Sequence, residues 1–212
     1  MNYEIENNFF NNIIVGFDEA GRGPIAGPVV AACVLLENFT NKNSFYEKIN
    51  DSKKLSKKNR REIYLKLIST HKFGVGVVDN EIIDKINILE ASKLAMLIAY
   101  NNFTLKYQIF PEIILVDGNF FPFKKMDQII RIIPIVKGDS KSISIAASSI
   151  IAKEFRDDIM LRLDKEFPEY NWKKNSAYPT KSHIENLEKY GITKYHRKTF
   201  QPVKSMKINN YL

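Results

Sequence analysis

Asp18 and Glu19 stand side by side in Gly16-Phe17-Asp18-Glu19-Ala20-Gly21-Arg22-Gly23-Pro24, directly after the apolar run Ile13-Ile14-Val15. Such a run reads as a buried strand, and α/β folds tend to carry their chemistry at the carboxyl ends of strands. Two adjacent carboxylates there suit a divalent cation held by hard oxygen ligands, with backbone N–H groups and the Arg22 guanidinium facing a phosphate. The plainer alternative is a polar strand end that turns through glycines into the next strand. Two further acids follow apolar runs or glycines, Asp117 in Val116-Asp117-Gly118-Asn119 and Asp139 in Lys137-Gly138-Asp139-Ser140. Taken singly, each reads as a turn residue. If they converged in one sheet, four carboxylates would repel strongly unless a cation neutralised them. Magnesium suits that arrangement, because it prefers oxygen ligands and bridges carboxylates to a substrate phosphate. Two such ions about 4 Å apart can activate a water and stabilise the leaving oxygen of an in-line phosphoryl displacement.

The elements that must position these acids are legible from periodicity. Val29 to Leu36 is a nearly continuous apolar run, as expected of a strand buried on both faces. Lys57 to Thr70 has helical spacing through Ile63, Leu67 and Ile68, and Phe73 to Val78 is a strand whose glycines predict close packing or a bulge. Asn87 to Lys106 is a helix with Asn87 as its N-cap. Ile113 to Val116 and Ile132 to Val136 are strands, and Ser142 to Lys165 is a long helix whose small, apolar first half suits burial against a sheet. The sum is an α/β domain on a central mixed sheet, with an antiparallel first unit and later strands joined by helices, followed by a helical basic tail.

The 212 residues are 44% hydrophobic and carry a net charge of +8, with no apolar run near the length of a membrane span. The amino terminus lacks the basic and apolar regions of a secretory signal, so a cytoplasmic protein is expected. The single cysteine, Cys33, excludes an intrachain disulfide and reads as a buried structural thiol. The positive charge is concentrated in Asp51 to Arg61, at +5, and in Lys173 to the carboxyl terminus, at +7, where Tyr178, Tyr190, Tyr195 and Phe200 are interleaved. A clustered basic face with aromatic rings points to nucleic acid, against the alternative of a merely solubilising surface. His183 and His196 have no metal-ligand spacing with each other or with Cys33, which argues against zinc. The Gly21 to Gly27 loop matches neither a phosphate loop nor a dinucleotide fingerprint.

The motifs in combination resemble those of the ribonuclease HII family. Gly16 to Pro24 is similar to its signature. Further matches follow in family order at Asp51 to Ser56, Ile86 to Ala91, Val116 to Asn119, Lys137 to Ser140, Ala146 to Lys153, Arg156-Asp157, Tyr178-Pro179-Thr180 with His183, and His196 to Phe200 with Pro202-Val203-Lys204. The resemblance implies a ribonuclease H-like catalytic domain over residues 13–165 and a helical basic extension over 166–212 that contacts substrate. It implies an endoribonuclease acting on the RNA strand of RNA/DNA hybrids and cutting 5′ of single ribonucleotides in duplex DNA, leaving 3′-hydroxyl and 5′-phosphate ends. By the resemblance, Asp18, Glu19, Asp117 and Asp139 bind two magnesium or manganese ions. The Gly21-Arg22-Gly23 backbone reads the ribose 2′-hydroxyl, a task for which glycines allow close approach. The resemblance also implies that Tyr178 packs against the deoxyribose that follows a ribonucleotide.

Lys53, Lys54, Lys141 and Lys181 are the expected phosphate contacts, by charge and by their place in the motifs. Asp157, in the middle of a helix, reads as a supporting residue. A monomer is expected. Ala177 stands where the family usually has glycine before the tyrosine, which puts the placement of Tyr178 in question. Residues 1–12 fall outside the match and are expected to be disordered. Competing readings are a nuclease restricted to longer hybrids, a nucleic-acid-binding module without catalysis, and a nucleotide phosphatase.

Overall fold

The computed structural model describes residues 4–9, 11–37, 44–49, 55–120 and 130–206. Lys53, Lys54 and the end of the carboxyl-terminal tail lie outside the described residues. In chain order the elements are α1 (Glu4–Asn7), β1 (Ile14–Ala20), β2 (Val29–Leu35), α2 (Ser44–Lys48), α3 (Lys57–Thr70), β3 (Lys72–Val78), α4 (Asn80–Tyr107), β4 (Ile113–Asp117), β5 (Arg131–Ile135), α5 (Ile143–Glu166), α6 (Trp172–Asn175) and α7 (Lys181–Tyr190). No described helix is long and apolar enough to cross a membrane.

Among the described residues the strands form one mixed sheet in the order β3-β2-β1-β4-β5. β1 to β3 are antiparallel neighbours, and β4 and β5 run parallel to β1. Alternation along β2 explains its unbroken apolar run. Ala31 and Cys33 face α4, through Ala91, Ala95 and Ala99, while Ala32 and Val34 face α5 and α3, through Ala146, Ile150 and Leu67. The sheet is thus covered on both sides, as the sequence predicts. The glycines of β3 serve close packing rather than a bulge, since a Cβ on Gly76 would collide with the Ala95 carbonyl of α4.

α3 has the predicted bounds, with the Ser56 hydroxyl accepting from the Asn59 amide at its start. α4 begins earlier than expected. Asp79 caps a short first segment, and the helix is then broken at Asn87, where φ is 66° and ψ is 166°. There the Asn87 Oδ1 accepts from the amides of Leu89 and Glu90 at 2.9 and 3.2 Å, which is the predicted N-cap.

The basic run before α3 is only partly a surface feature. Arg60 is buried and donates to Glu154 at 2.6 Å and Asp157 at 3.1 Å, and Arg61 reaches Asp158 at 2.9 Å, so two of the six cations counted toward a nucleic-acid face instead fasten α3 to α5. Asp157 also accepts from Lys153 and Ser176, a supporting role as expected. Residues 4–9 depart from expectation too, while residues 1–3 and 10 lie outside the described residues. Glu6 is fully buried and accepts from the Ser142 hydroxyl at 2.6 Å and the Ser144 amide at 3.0 Å, and Ile5 and Phe9 pack on the cluster of Ile14, Ile113, Leu115 and Ile145. A carboxylate at a helix start satisfies donors that have no partner within the helix, which gives Glu6 a reason to be buried there.

Candidate active site

The sheet brings Asp18 and Asp117 level. The parallel register of β1 on β4 runs to Phe17 opposite Val116, and one further step sets Asp18 beside Asp117. Ile14, Ile113 and Leu115 pack on Ile145 of α5, so the two-residue pleat turns both acids to the face that α5 covers. α5 is fastened there by the Ser148 hydroxyl, which donates to the Gly16 carbonyl at 2.7 Å, and Ser149 hydrogen-bonds the Asp18 side chain. The Glu19 amide donates to Asp18 Oδ1 at 2.7 Å. Burial, with Glu19 and Asp117 adding their charge, pushes the Asp18 carboxyl well above the ordinary carboxylate range.

Glu19 is also raised, by burial first and by Asp117, with Arg22 opposing. Its Oε1 pairs with Arg22 Nη1 at 3.2 Å, while its buried Oε2 has no hydrogen-bond partner among the described residues. Arg22, expected to face a phosphate, is therefore engaged with Glu19, and it also lies 6.0 Å from the Phe120 ring centroid. Asp117 Oδ1 accepts from the Gly138 amide at 2.6 Å, and Asp139, buried, is the next residue in the 3-10 turn Gly138–Ser140 that leads into α5. Asp18, Glu19 and Asp117 thus share one electrostatic neighbourhood, with Asp139 one residue beyond the amide that grips Asp117.

No three His, Cys, Asp or Glu side chains among the described residues stand together as a closed metal-binding group. The donors nevertheless fit a hard divalent cation. They are all oxygen, burial first and then neighbouring carboxylate charge already raise two of them, and one buried carboxylate oxygen has no hydrogen-bond partner among the described residues.

The substrate-facing residues expected from the sequence separate into two groups. Tyr178 lies over Gly23, where a Cβ would stand 3.2 Å from the tyrosine Cε1, and the ring remains 47% exposed. Lys141 is exposed beside the Asp139 turn, and Lys181 is exposed at the start of α7, which the Thr180 hydroxyl caps. Of the other interleaved rings, Tyr190 is exposed, but Tyr195 and Phe200 pack against the cluster of Ile25, Met160 and Trp172. Ala177 adopts φ 63°, the left-handed conformation that favours glycine. It is fully buried, its amide donates to Asn175 Oδ1 at 2.8 Å and its carbonyl accepts from Ile25 at 2.9 Å. The departure from glycine therefore leaves the backbone before Tyr178 in a glycine-like shape.

Sequence reasoning missed what lies behind these residues. His183 and His196, though 13 residues apart, meet at 3.3 Å between their Nε2 atoms. The Thr193 amide donates to His196 Nδ1 at 2.9 Å, which leaves His196 Nε2–H to donate to His183, and His183 Nδ1–H to donate to the Tyr178 carbonyl at 2.9 Å. Trp172 Nε1 also donates to His183 Nε2, at 3.1 Å. Every ring nitrogen is engaged, so the pair has no lone pair to offer zinc. Two buried arginines, Arg156 and Arg197, likewise carry no local signature, although both lie within matched motifs. No periodicity marks a cation for the interior.

Comparison with known proteins agrees with this geometry. A family model described as Ribonuclease HII matches residues 15–203. The Ribonuclease HII of Rickettsia akari (strain Hartford) is 50% identical over 196 residues, covering 92% of this chain and 95% of its own length. That of Wolbachia sp. subsp. Brugia malayi (strain TRS) is 47% identical over 196 residues, covering 92% and 91%. The crystal structure of ribonuclease H2 from Pyrococcus horikoshii OT3 has a TM-score of 0.71 at 27% identity, covering 91% of this chain and 95% of that one. The RNase HII in the PCNA:RNase HII complex from Archaeoglobus fulgidus has a TM-score of 0.69 at 26% identity, with 89% and 95% covered. With the signature residues, the mixed sheet and near-complete coverage in agreement, the chain belongs to the ribonuclease HII family of endonucleases.

Proposed function

We propose that this chain hydrolyses the RNA strand of RNA/DNA hybrids and cuts on the 5′ side of single ribonucleotides embedded in duplex DNA, leaving 3′-hydroxyl and 5′-phosphate ends. Residues 13–165 act as the catalytic body and 166–212 as a substrate-contacting extension. The observation that carries the reading is the alignment of Asp18 with Asp117 on adjacent parallel strands, on one face, beside a Glu19 oxygen that has no hydrogen-bond partner among the described residues.

Asp18, Glu19, Asp117 and Asp139 would hold two divalent ions, magnesium or manganese. When bound, such ions supply an activated water and stabilise charge on the phosphodiester. The protein's own part is positional. Gly138 orients Asp117, Ser149 and the Glu19 amide orient Asp18, and the Gly21-Arg22-Gly23 backbone offers amides to a ribose 2′-hydroxyl. Tyr178 would pack on the sugar that follows, a reading its half-exposed position over Gly23 supports. Lys53, Lys54, Lys141 and Lys181 meet backbone phosphates and make binding depend on salt.

The test is cleavage of a labelled DNA duplex carrying one internal ribonucleotide, with magnesium or manganese and with chelator, beside Asp18→Asn. A cut 5′ of the ribonucleotide that needs both metal and Asp18 supports the reading. Cutting confined to longer hybrids would remove the single-ribonucleotide role of Tyr178, and no cutting of either substrate would remove the catalytic reading.

A further inference from the structure

Arg197 and Arg156 are buried side by side behind the Gly21 to Pro28 loop, and every hydrogen bond they make among the described residues goes to a backbone carbonyl. Arg197 donates to Gly21 at 2.7 Å, Arg22 at 3.1 Å and Gly27 at 2.9 and 3.0 Å. Arg156 donates to Pro28 at 2.9 Å, Ser176 at 3.1 Å and Ala26 at 3.2 Å. Neither is ion-paired with a carboxylate among the described residues. Asp84 is close enough to favour the Arg197 charge, but its oxygens accept from Lys198 and Thr199. Burial brings Arg197 down to about 9, with Arg156 adding to the effect, and Arg156 to about 10, so both remain cationic at neutral pH. Two buried cations with no ion pair among the described residues are costly even with Asp84 and Asp157 near enough to favour their charge, and packing alone is a poor reason to keep them.

Peptide geometry supplies a better one. In a trans peptide unit the C=O and N–H point in opposite directions. Drawing the Gly21 and Arg22 carbonyls onto Arg197 turns the amides of Arg22 and Gly23 away from it, toward the exposed side of the loop where the Tyr178 ring lies. A cation on the carbonyl also polarises the peptide and strengthens its N–H as a donor. Gly21, at φ 99°, has no room for a Cβ because the Arg156 side chain is pressed against it, so the loop is held from two sides. Both clamps act on the segment that the proposed function assigns to the ribose.

We propose that Arg197, backed by Arg156, is a positioning residue that aims the Arg22 and Gly23 amides at the substrate's ribose 2′-hydroxyl, so that the carboxyl-terminal extension sets the discrimination of RNA from DNA. The proposal rests on the reading that this loop contacts the ribose.

The test compares binding, in chelator, of two otherwise identical duplexes, one with a single ribonucleotide and one all-DNA. Arg197→Lys keeps the charge, but an ammonium cannot span three carbonyls as a guanidinium does. The expected result is an about tenfold fall in the ratio of the two affinities, with all-DNA affinity unchanged. As a second measurement needing no variant, amide hydrogen exchange of the parent protein should show Arg22 and Gly23 protected by the ribonucleotide duplex and not by the all-DNA duplex. An unchanged ratio, or an equal loss on both duplexes, overturns the role of Arg197. If Arg197→Lys does not fold, the exchange measurement decides, and absence of ribonucleotide-specific protection overturns the proposal. A parent protein that binds both duplexes equally refutes the underlying reading of the loop instead.

Discussion

Tyr178 closes over Gly23, where a β-carbon would lie 3.2 Å from the ring, so that the ring must yield by a few tenths of an ångström to admit it. The contact joins the signature loop to the carboxyl-terminal extension at the point where a sugar would be read. Gly23→Ala is expected to push the half-exposed ring aside without disturbing the core. We expect kcat/KM on the single-ribonucleotide duplex to fall about 10- to 100-fold, as for a small misplacement of a contacting group, with Tm unchanged. Steady-state kinetics beside a melting curve would check this, and a matching loss of Tm would contradict it.

Ala177 tests how a glycine position tolerates a methyl group. Ala177→Gly would relieve about 1–2 kcal/mol of left-handed strain. It would lose about 0.8 kcal/mol of methyl burial and about 0.4–1 kcal/mol through greater freedom of the unfolded chain. These terms nearly cancel, so urea denaturation should give a stability within about 1 kcal/mol of the parent, with single-ribonucleotide cleavage retained. A gain above about 2 kcal/mol would mean that the burial and entropy terms are overstated here.

The acid pair predicts an inverse relation between stability and activity. Asp18 and Glu19 have folded pKa values above their unfolded ones, through burial first and then neighbouring charge. The folded state therefore holds more protons, and the metal-free protein loses stability as pH rises from the ordinary carboxylate range through the raised folded values. Asp18→Asn should stabilise the metal-free protein at neutral pH by on the order of 1 kcal/mol while abolishing cleavage. Magnesium or manganese should raise the Tm of the parent more than that of the variant. Melting curves with and without metal, across pH, would read the three stability effects, and a cleavage assay of the variant would read the loss of activity.

The buried histidine pair predicts the opposite slope. Burial first, then the nearby His183, lowers His196 to about 3, and burial lowers His183. Here the unfolded chain binds more protons, so this contribution is fully present above about pH 6.5 and is lost as pH falls toward the folded values. His196→Gln should cost about 1–3 kcal/mol at pH 7, because the Thr193 amide loses its acceptor and His183 Nε2 keeps only the Trp172 donor. The cost should shrink as the pH is lowered. A difference between variant and parent that stays constant from pH 7 to 4 would show that His196 does not titrate on unfolding.

Local pattern carried much of the fold because the elements obey local rules. The bounds of α3 follow from Ser56 and the spacing of Ile63 and Leu67, and β2 is uniformly apolar because both of its faces are covered. The early start of α4 escaped notice because Asn87 both caps a helix and breaks a longer one. In the candidate site the four acids and the glycine loop were legible as motifs. Their support was not, because it is made of long-range pairs such as Arg197 with Gly21, Glu6 with Ser142, and His183 with His196, whose partners follow no spacing rule. Arg60 misled for the same reason, since its charge is visible in the sequence and its partner Glu154, 94 residues on, is not.

The burial of Glu6 makes residues 4–9 a rear strut for the turn that carries Asp139. Ser142, which it holds, follows Asp139 by three residues, and its amide closes that turn onto the Gly138 carbonyl. A protease that trimmed the leading dozen residues would remove nothing within the span matched by the family, yet would leave the Ser142 hydroxyl and the Ser144 amide without their acceptor. Glu6 thus braces, from outside the matched span, the residues that follow the Asp139 turn.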